Sequence, residues 1–335
     1  MTGGYKLSNL LETLPPVAYA VAYGSGVFKH FGSAAVAKSA KVVDYILAVD
    51  DAEEWHATNL RVNPQHYGRF SRVLGGKQTA RVATSIGLGV HFNPYVNVGG
   101  QLCKYGIVST SRLLKDLNEW EHLYLAGRLH KPVMPLVPNE EVEQAKRRSH
   151  RAAACAALLL FPDRFTKRQL YHKICSLSYE GDIRLTFAAE DKSKIDNIVA
   201  GSERDLDDLY LDELRGPSGA MAGLVVDPED QVWTQEASDP SSRCELLTCL
   251  PRPVLEDLFR SAGMAVGGGG KGRGSSMDLV RSGRHSDLLQ RTLAARVRKA
   301  SIRQALYGVL STDFVTSAHY LGQKLKKALL TRINK

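Results

Sequence analysis

Val17–Tyr23 is an apolar run that ends in Gly24-Ser25-Gly26. A second apolar run, Val42–Val49, follows about twenty residues later with Asp44 near its start. Runs of this length and character read as buried strands, and two buried strands need a covered sheet, which makes the expected fold class α/β. The small residues after the first strand allow a tight turn whose backbone N–H groups face a phosphate. An acid at the start of the second strand suits a divalent cation. A Gly-Ser-Gly turn is also an ordinary tight connection, so the rest of the chain has to decide between the two.

The chain has 335 residues, room for one large domain or two ordinary ones, and its 44% hydrophobic content is enough to bury a core. The net charge of +9 is unevenly spread, since residues 281–335 carry 12 Lys+Arg against 2 Asp+Glu. A phosphate-rich partner is therefore expected at the C-terminal end. Cys103, Cys155, Cys175, Cys244 and Cys249 lack paired spacing and read as reduced thiols without a zinc site. The longest apolar run, Ala152–Phe161, is too short to span a bilayer, and no secretory signal or Arg-rich presequence is visible.

Along the chain, Asp51 is placed to cap a short helix over Trp55–Leu60, with Glu54 at capping-box spacing. His56, His66 and Tyr67 read as core or surface residues before ligands. Val90–Asn93 and Gln101–Ser109 read as strands; Lys104 on the second is either an edge lysine or a phosphate contact. Helical spacing runs from Ser111 to Leu129, and Arg128 and Lys131 near its end suit either the helix dipole or a triphosphate. The spacing predicts helices over Asn139–Leu160, Thr166–Ser176 and Lys194–Tyr210, with a short strand over Ile183–Phe187. This suggests a mostly helical, winged-helix-like second domain. Its near-balanced charge argues against nucleic acid as a partner. Gly267–Gly274 fails as a nucleotide-binding P-loop because no Ser or Thr follows Lys271, and reads as a flexible linker.

Ser286–Leu310 and Ser317–Ile333 are basic amphipathic helices. Arg296, Arg298, Lys299 and Arg303 on the first and Lys324, Lys326 and Lys327 on the second would meet an anionic membrane surface, unless the helices dock on the body of the protein. The expected division is residues 1–137, a helical unit 138–215, an irregular glycine-rich segment 216–285, and a basic tail 286–335.

Taken together, several blocks resemble a known family. They are Tyr23–Phe28, Asp44–Asp51, Trp55-His56, His66-Tyr67, Lys104–Ser109, Tyr124–Pro132, Leu177–Arg184, Glu190-Asp191 and Ser301–Gln304. In this order they are similar to the Tam41 family, the mitochondrial phosphatidate cytidylyltransferases. The resemblance implies a nucleotidyltransferase-fold domain, a winged-helix-like domain and a C-terminal amphipathic helix. It also implies transfer of the cytidylyl group of CTP to phosphatidic acid, with Mg²⁺, by a peripheral protein on the matrix side of the mitochondrial inner membrane, for phosphatidylglycerol and cardiolipin synthesis. A soluble or RNA acceptor, or an inactive membrane-associated assembly factor, are the alternatives, and a homo-oligomer is compatible with the sequence. Gly24, Ser25, Gly26, Lys104, Arg128 and Lys131 are then the expected nucleotide contacts and Asp44 a metal ligand. Asp50 lies six strand residues from Asp44, roughly 20 Å along a straight strand, so Asp182 of the Gly-Asp-Ile-Arg block is the expected second ligand.

Overall fold

A computed structural model of the chain describes residues 6–28, 42–162, 164–186, 194–215, 224–226, 232–235, 240–264 and 272–311. The architecture is α/β. Five strands, β1 (Tyr19–Tyr23), β2 (Val43–Val49), β3 (Val90–Val98), β4 (Gln101–Ser109) and β5 (Met134–Val137), form one mixed sheet in the order β3-β4-β2-β1-β5. β2 and β4 run parallel at its centre and the other pairs are antiparallel. Strand side chains alternate between faces, and both faces here are covered. Tyr19, Val21, Ile46, Ala48, Val90 and Val108 enter the larger core. Ala20, Ala22, Tyr45, Leu47, Tyr105 and Ile107 enter a smaller one with Leu10 of α1 (Asn9–Glu12) and Trp55 of α2 (Ala52–Val62). Asp51 caps α2 through the N–H groups of Glu53 and Glu54, but the Glu54 carboxylate turns to Lys77 rather than closing a capping box.

After α2 come α3 (Arg69–Leu74) and α4 (Gly76–Ser85), which lead into β3. The sequence predicts one helix over Ser111–Leu129. The structure instead has α5 (Thr110–Glu119), a turn, and α6 (Ala126–Leu129). Trp120 and Leu123 adopt left-handed backbone, each with φ of 51°. The cause is Asp116, whose buried carboxylate accepts from the N–H groups of His122, Leu123, Tyr124, Leu125 and Ala126 at 2.8–3.1 Å. Five charge-assisted bonds outweigh the strain of two left-handed residues.

The larger core continues into α7 (Glu140–Leu160), capped by Asn139. Its Ala152–Leu159 stretch is wholly buried and lets several helices close around it. Thr166 and Gln169 form a reciprocal capping box at the start of α8 (Lys167–Ser176), as its N-cap position predicts. Ile183–Thr186 is a short helix, α9, not a strand, and the helix expected over Lys194–Tyr210 is two, α10 (Lys194–Gly201) and α11 (Glu203–Arg215). A second sheet pairs β6 (Arg164–Thr166) with β8 (Val232–Gln235) and β8 with β7 (Leu224–Val226). Then follow α12 (Pro240–Thr248), α13 (Arg252–Ser261), α14 (Gly272–Arg281) and α15 (His285–Ser311). Most of the glycine run, Glu190-Asp191 and the expected helix 317–333 lie outside the described residues. Among the described residues no helix is long and apolar enough to cross a membrane.

Buried histidines tie these layers together. His91 Nδ1 bonds the Tyr307 hydroxyl of α15 at 2.6 Å, and His56 Nδ1 bonds that of Tyr67 at 2.8 Å. His66 Nδ1 bonds Tyr105 at 2.9 Å, so all three sequence-flagged residues, His56, His66 and Tyr67, belong to this interior network. His150 donates to Leu129 O at 2.7 Å.

Two stability predictions follow from these arrangements. Asp116→Ala strands five N–H donors, three of them in fully buried bonds, and is expected to cost about 3 kcal/mol or more in urea unfolding. Burial lowers the imidazoles of His91 and His150 to about 4, their bonds to Asn93 and Leu129 O opposing it. Native-state pKa values lie below the unfolded value near 6.5. The unfolded chain therefore takes up protons first, and stability, full above about pH 6.5, falls as pH drops toward 4, by about 2 kcal/mol per histidine at pH 5. The melting temperature at pH 5.0 should lie several degrees below that at pH 7.5, and His91→Asn should flatten the slope.

Candidate active site

One row of the central sheet organises the site. Tyr23 pairs with Asp44, and Asp44 with Lys104. Opposed residues project from the same face, so a phenol, a carboxylate and an ammonium line up where β1 ends and β2 begins. Gly24 follows Tyr23 with φ of +83°, and a Cβ there would lie 3.3 Å from Asp44 Oδ2. At Gly26 a Cβ would fall 2.4 Å from Val42 O, so only glycine lets the turn lie against β2. Val27 and Phe28 both donate to Gly24 O at 3.0 Å. Such a helical turn leaves the N–H groups of Ser25 and Gly26 without an acceptor inside it.

Cations converge on this row, held mostly by aromatic faces. Lys104 lies on an interior strand, not an edge, with Nζ 4.7 Å from the centre of the Phe92 ring. Arg128 stacks on Tyr124 at 3.7 Å, donates to Tyr124 O at 2.8 Å, and lies close enough to the Tyr23 phenol for its charge to act on it. Burial, with the Asp44 charge beside it, holds the Tyr23 phenol above its ordinary range, so it stays protonated. Lys131 donates to Gly127 O and to Ser178 Oγ, the latter at 3.1 Å, and faces the Tyr179 ring at 4.9 Å; Lys194 faces the same ring at 5.2 Å. Burial lowers the Lys131 ammonium pKa; Tyr179 and Cys175 oppose this, while Arg128 and Lys194 add to it. Cations that disfavour one another's charge are stabilised by an anion among them.

Asp182 is buried in the turn before α9. Its Oδ1 accepts from Arg184 N and Nε at 2.9 and 3.0 Å, and its Oδ2 accepts from Nε at 3.1 Å and from Nη2. Asp182, expected as a second metal ligand, thus has both carboxylate oxygens on Arg184, which lies close enough to Arg128 for their charges to interact. Among the described residues no three His, Cys, Asp or Glu side chains gather to hold a metal. One carboxylate beside phosphate-binding groups is still a sufficient protein donor set for Mg²⁺, which keeps water and takes phosphate oxygens for the rest. Asp44, against the Gly24 turn, fits that demand. Asp50 lies at the far end of β2, where it accepts from Thr110 Oγ1 at 3.4 Å.

Of the residues expected at a membrane, Arg298 and Lys299 are exposed. Arg303 is half-buried, with its guanidinium on Ser85 O and Ile86 O. Arg296 corrects the expectation. It turns inward to Trp120 O, Pro253 O and Asp257 and fastens α15 to the body. Lys324, Lys326 and Lys327 lie outside the described residues. Sequence reasoning missed Phe92, Tyr124, Tyr179, Arg184 and Lys194 as site residues. Tyr124, Tyr179 and Arg184 stood inside the quoted blocks, whereas nothing in the pattern marked Phe92 or Lys194. Gly26→Ala, driven into Val42 O, is expected to cost about 1–3 kcal/mol in urea unfolding, with Ser25→Ala near neutral as the control.

The family model described as mitochondrial phosphatidate cytidylyltransferase matches residues 7–327. A Danio rerio protein named mitochondrial phosphatidate cytidylyltransferase is 34% identical over 313 residues, covering 92% of this chain and 89% of its own. A Caenorhabditis elegans protein of the same name is 38% identical over 335 residues, 97% of this chain and 98% of its own, and a Xenopus laevis one is 33% identical over 332 residues, 97% and 95%. With its glycine turn, its carboxylate and its ring of cations all inside the matched region, the chain belongs to the Tam41/Mmp37 family of mitochondrial phosphatidate cytidylyltransferases.

Proposed function

We propose that the chain transfers the cytidylyl group of CTP to phosphatidic acid, giving CDP-diacylglycerol and pyrophosphate. The observation that carries this reading is the convergence of Lys104, Arg128, Lys131 and Arg184 on the Gly24 turn and Asp44 in a chain of this family. An oxygen of the lipid phosphate attacks the α-phosphorus of CTP. The bond from that phosphorus to the oxygen of the β-phosphate breaks, and pyrophosphate leaves with the electron pair. The attacking phosphate is already ionised, so no general base is needed, and positioning with charge neutralisation does most of the catalysis.

In this reading the N–H groups of Ser25 and Gly26 take β- or γ-phosphate oxygens, and Lys104, Arg128 and Lys131 spread the charge of the leaving pyrophosphate. Tyr23, protonated, holds Arg128 in place. Arg184, aimed by Asp182, meets the incoming lipid phosphate. Asp44 would hold Mg²⁺, which would supply further neutralisation of the triphosphate charge. We read the five-stranded sheet as a nucleotidyltransferase fold and α8 with β6–β8 as winged-helix-like. The exposed Arg298 and Lys299 support a peripheral protein on an anionic membrane. The matrix side of the mitochondrial inner membrane and supply of cardiolipin synthesis complete the proposal.

Labelled CTP, MgCl₂ and phosphatidate vesicles should yield labelled CDP-diacylglycerol, with UTP, ATP and GTP poor substitutes. Asp44→Ala should lower the rate at least a hundredfold with an unchanged melting curve. Arg128→Ala and Lys104→Ala should each cost about 10²-fold in kcat/KM. Absence of product from the wild-type chain would overturn the reading, and equal turnover of a soluble acceptor would move it to the alternative substrate class.

A further inference from the structure

The apolar residues of α15 divide into two sets. Leu288, Leu289, Leu293 and Val297 are buried against the body, whereas Ile302, Leu306 and Val309 are 39%, 57% and 69% exposed. The exposed end does not stand alone. Arg303 bonds Ser85 O and Ile86 O at 3.2 Å each, and the Tyr307 ring packs on Gly87 while its hydroxyl reaches His91. α3 packs against both α4 and α15. On α3, Ser71 faces inward while Phe70 is 40% and Val73 89% exposed; Ile86 beside them is 39% exposed. Thus six of the nine exposed large apolar side chains among the described residues lie on three neighbouring elements.

We propose that α3, the Ser85–Ile86 turn and the C-terminal half of α15 form one membrane-contacting face, so that the body of the protein, and not its tail alone, sits on an anionic bilayer. Charge selects this occupant. Residues 69–74 and 295–311 contain Arg69, Arg72, Arg296, Arg298, Lys299 and Arg303 and no acid. With Arg296 turned inward, the others rim the apolar surface. A second copy of the chain would bring like charges together, whereas anionic headgroups complement them. Basic stems lying along apolar side chains suit an interface between chains and headgroups.

Position adds a second argument, which rests on the phosphatidate reading. Gly181 lies against Ala294 of α15, a Cβ there meeting Ala294 O at 2.3 Å, and Ile183 N–H donates to Ser301 Oγ at 3.2 Å. The turn carrying Asp182 and Arg184 therefore touches one side of α15 and the apolar face lies on another, a helix diameter of about 10 Å apart. A lipid phosphate can approach Arg184 while its chains stay in the bilayer.

The test uses the full chain with Phe70→Glu/Val73→Glu. In flotation with phosphatidylcholine vesicles containing phosphatidate, the double variant should bind at least tenfold more weakly than wild type and lose vesicle activity in parallel. Its turnover of a water-soluble, short-chain phosphatidate should stay within twofold, with gel-filtration mass and melting temperature unchanged. In a Val73→Trp variant, lipid chains bearing bromine should quench the added fluorescence. Unchanged flotation of the double variant, or no quenching at Trp, overturns the proposal. So does a change in oligomeric mass with vesicle binding intact, which would make the face an interface between copies. Failure of wild type to turn over even the soluble lipid would count against the cytidylyltransferase reading alone, since flotation and quenching still decide the face.

Discussion

The carboxylate of Asp116 accepts five successive backbone N–H groups at the point where a regular helix would otherwise continue. Everything on the far side of that turn depends on it. By ending α5 and restarting as α6, the chain swings Tyr124 and Arg128 over the sheet and sets Gly127 against Ser178, where a Cβ would come within 2.0 Å of the serine side chain. That close approach puts Lys131 between α6 and the turn holding Tyr179. One buried acid, fully satisfied, thereby positions two of the cations of the site while sitting outside it.

The site shows a consistent economy of charge. Lys104, Arg128, Lys131 and Lys194 rest on Phe92, Tyr124 and Tyr179. An aromatic face orients a cation without neutralising it, so the positive potential remains for a polyanionic ligand. Arg184 is the exception, tied to Asp182, and its fork geometry makes it the most rigidly aimed of the set. A triphosphate entering this cluster would offset the burial that keeps the Lys131 ammonium low, to which the charges of Arg128 and Lys194 add.

α15 joins these parts. Arg296 anchors it to the loop after α5 and to α13, Ser301 receives the turn before α9, and Tyr307 enters the histidine–tyrosine network beneath β3. The basic tail is thus half scaffold and half exposed surface: the docked-helix reading holds for its inward face, and the membrane-facing reading is the one proposed for the exposed face.

Local signals made much of this legible in advance. Period-two and apolar runs located β1, β2 and β4, a cap residue located α2, and helical spacing located α7 and α8, because those elements are decided by neighbours within a few residues. The Gly24 turn and Asp44 were legible for the same reason: a left-handed glycine and a strand-start acid are local demands. The break at Trp120 was not, since helical propensity favours continuation and the opposing force is a side chain closing back on backbone six to ten residues ahead. Nor was the inward turn of Arg296, whose partners lie 39 or more residues away, or the capture of Asp182 by Arg184. Local sequence was enough for β1, β2, β4 and the Gly24 turn and for the residue types available to a phosphate. Only the tertiary structure decided which cations meet Asp44, because that depends on long-range packing of α6 and α15, which no local pattern encodes.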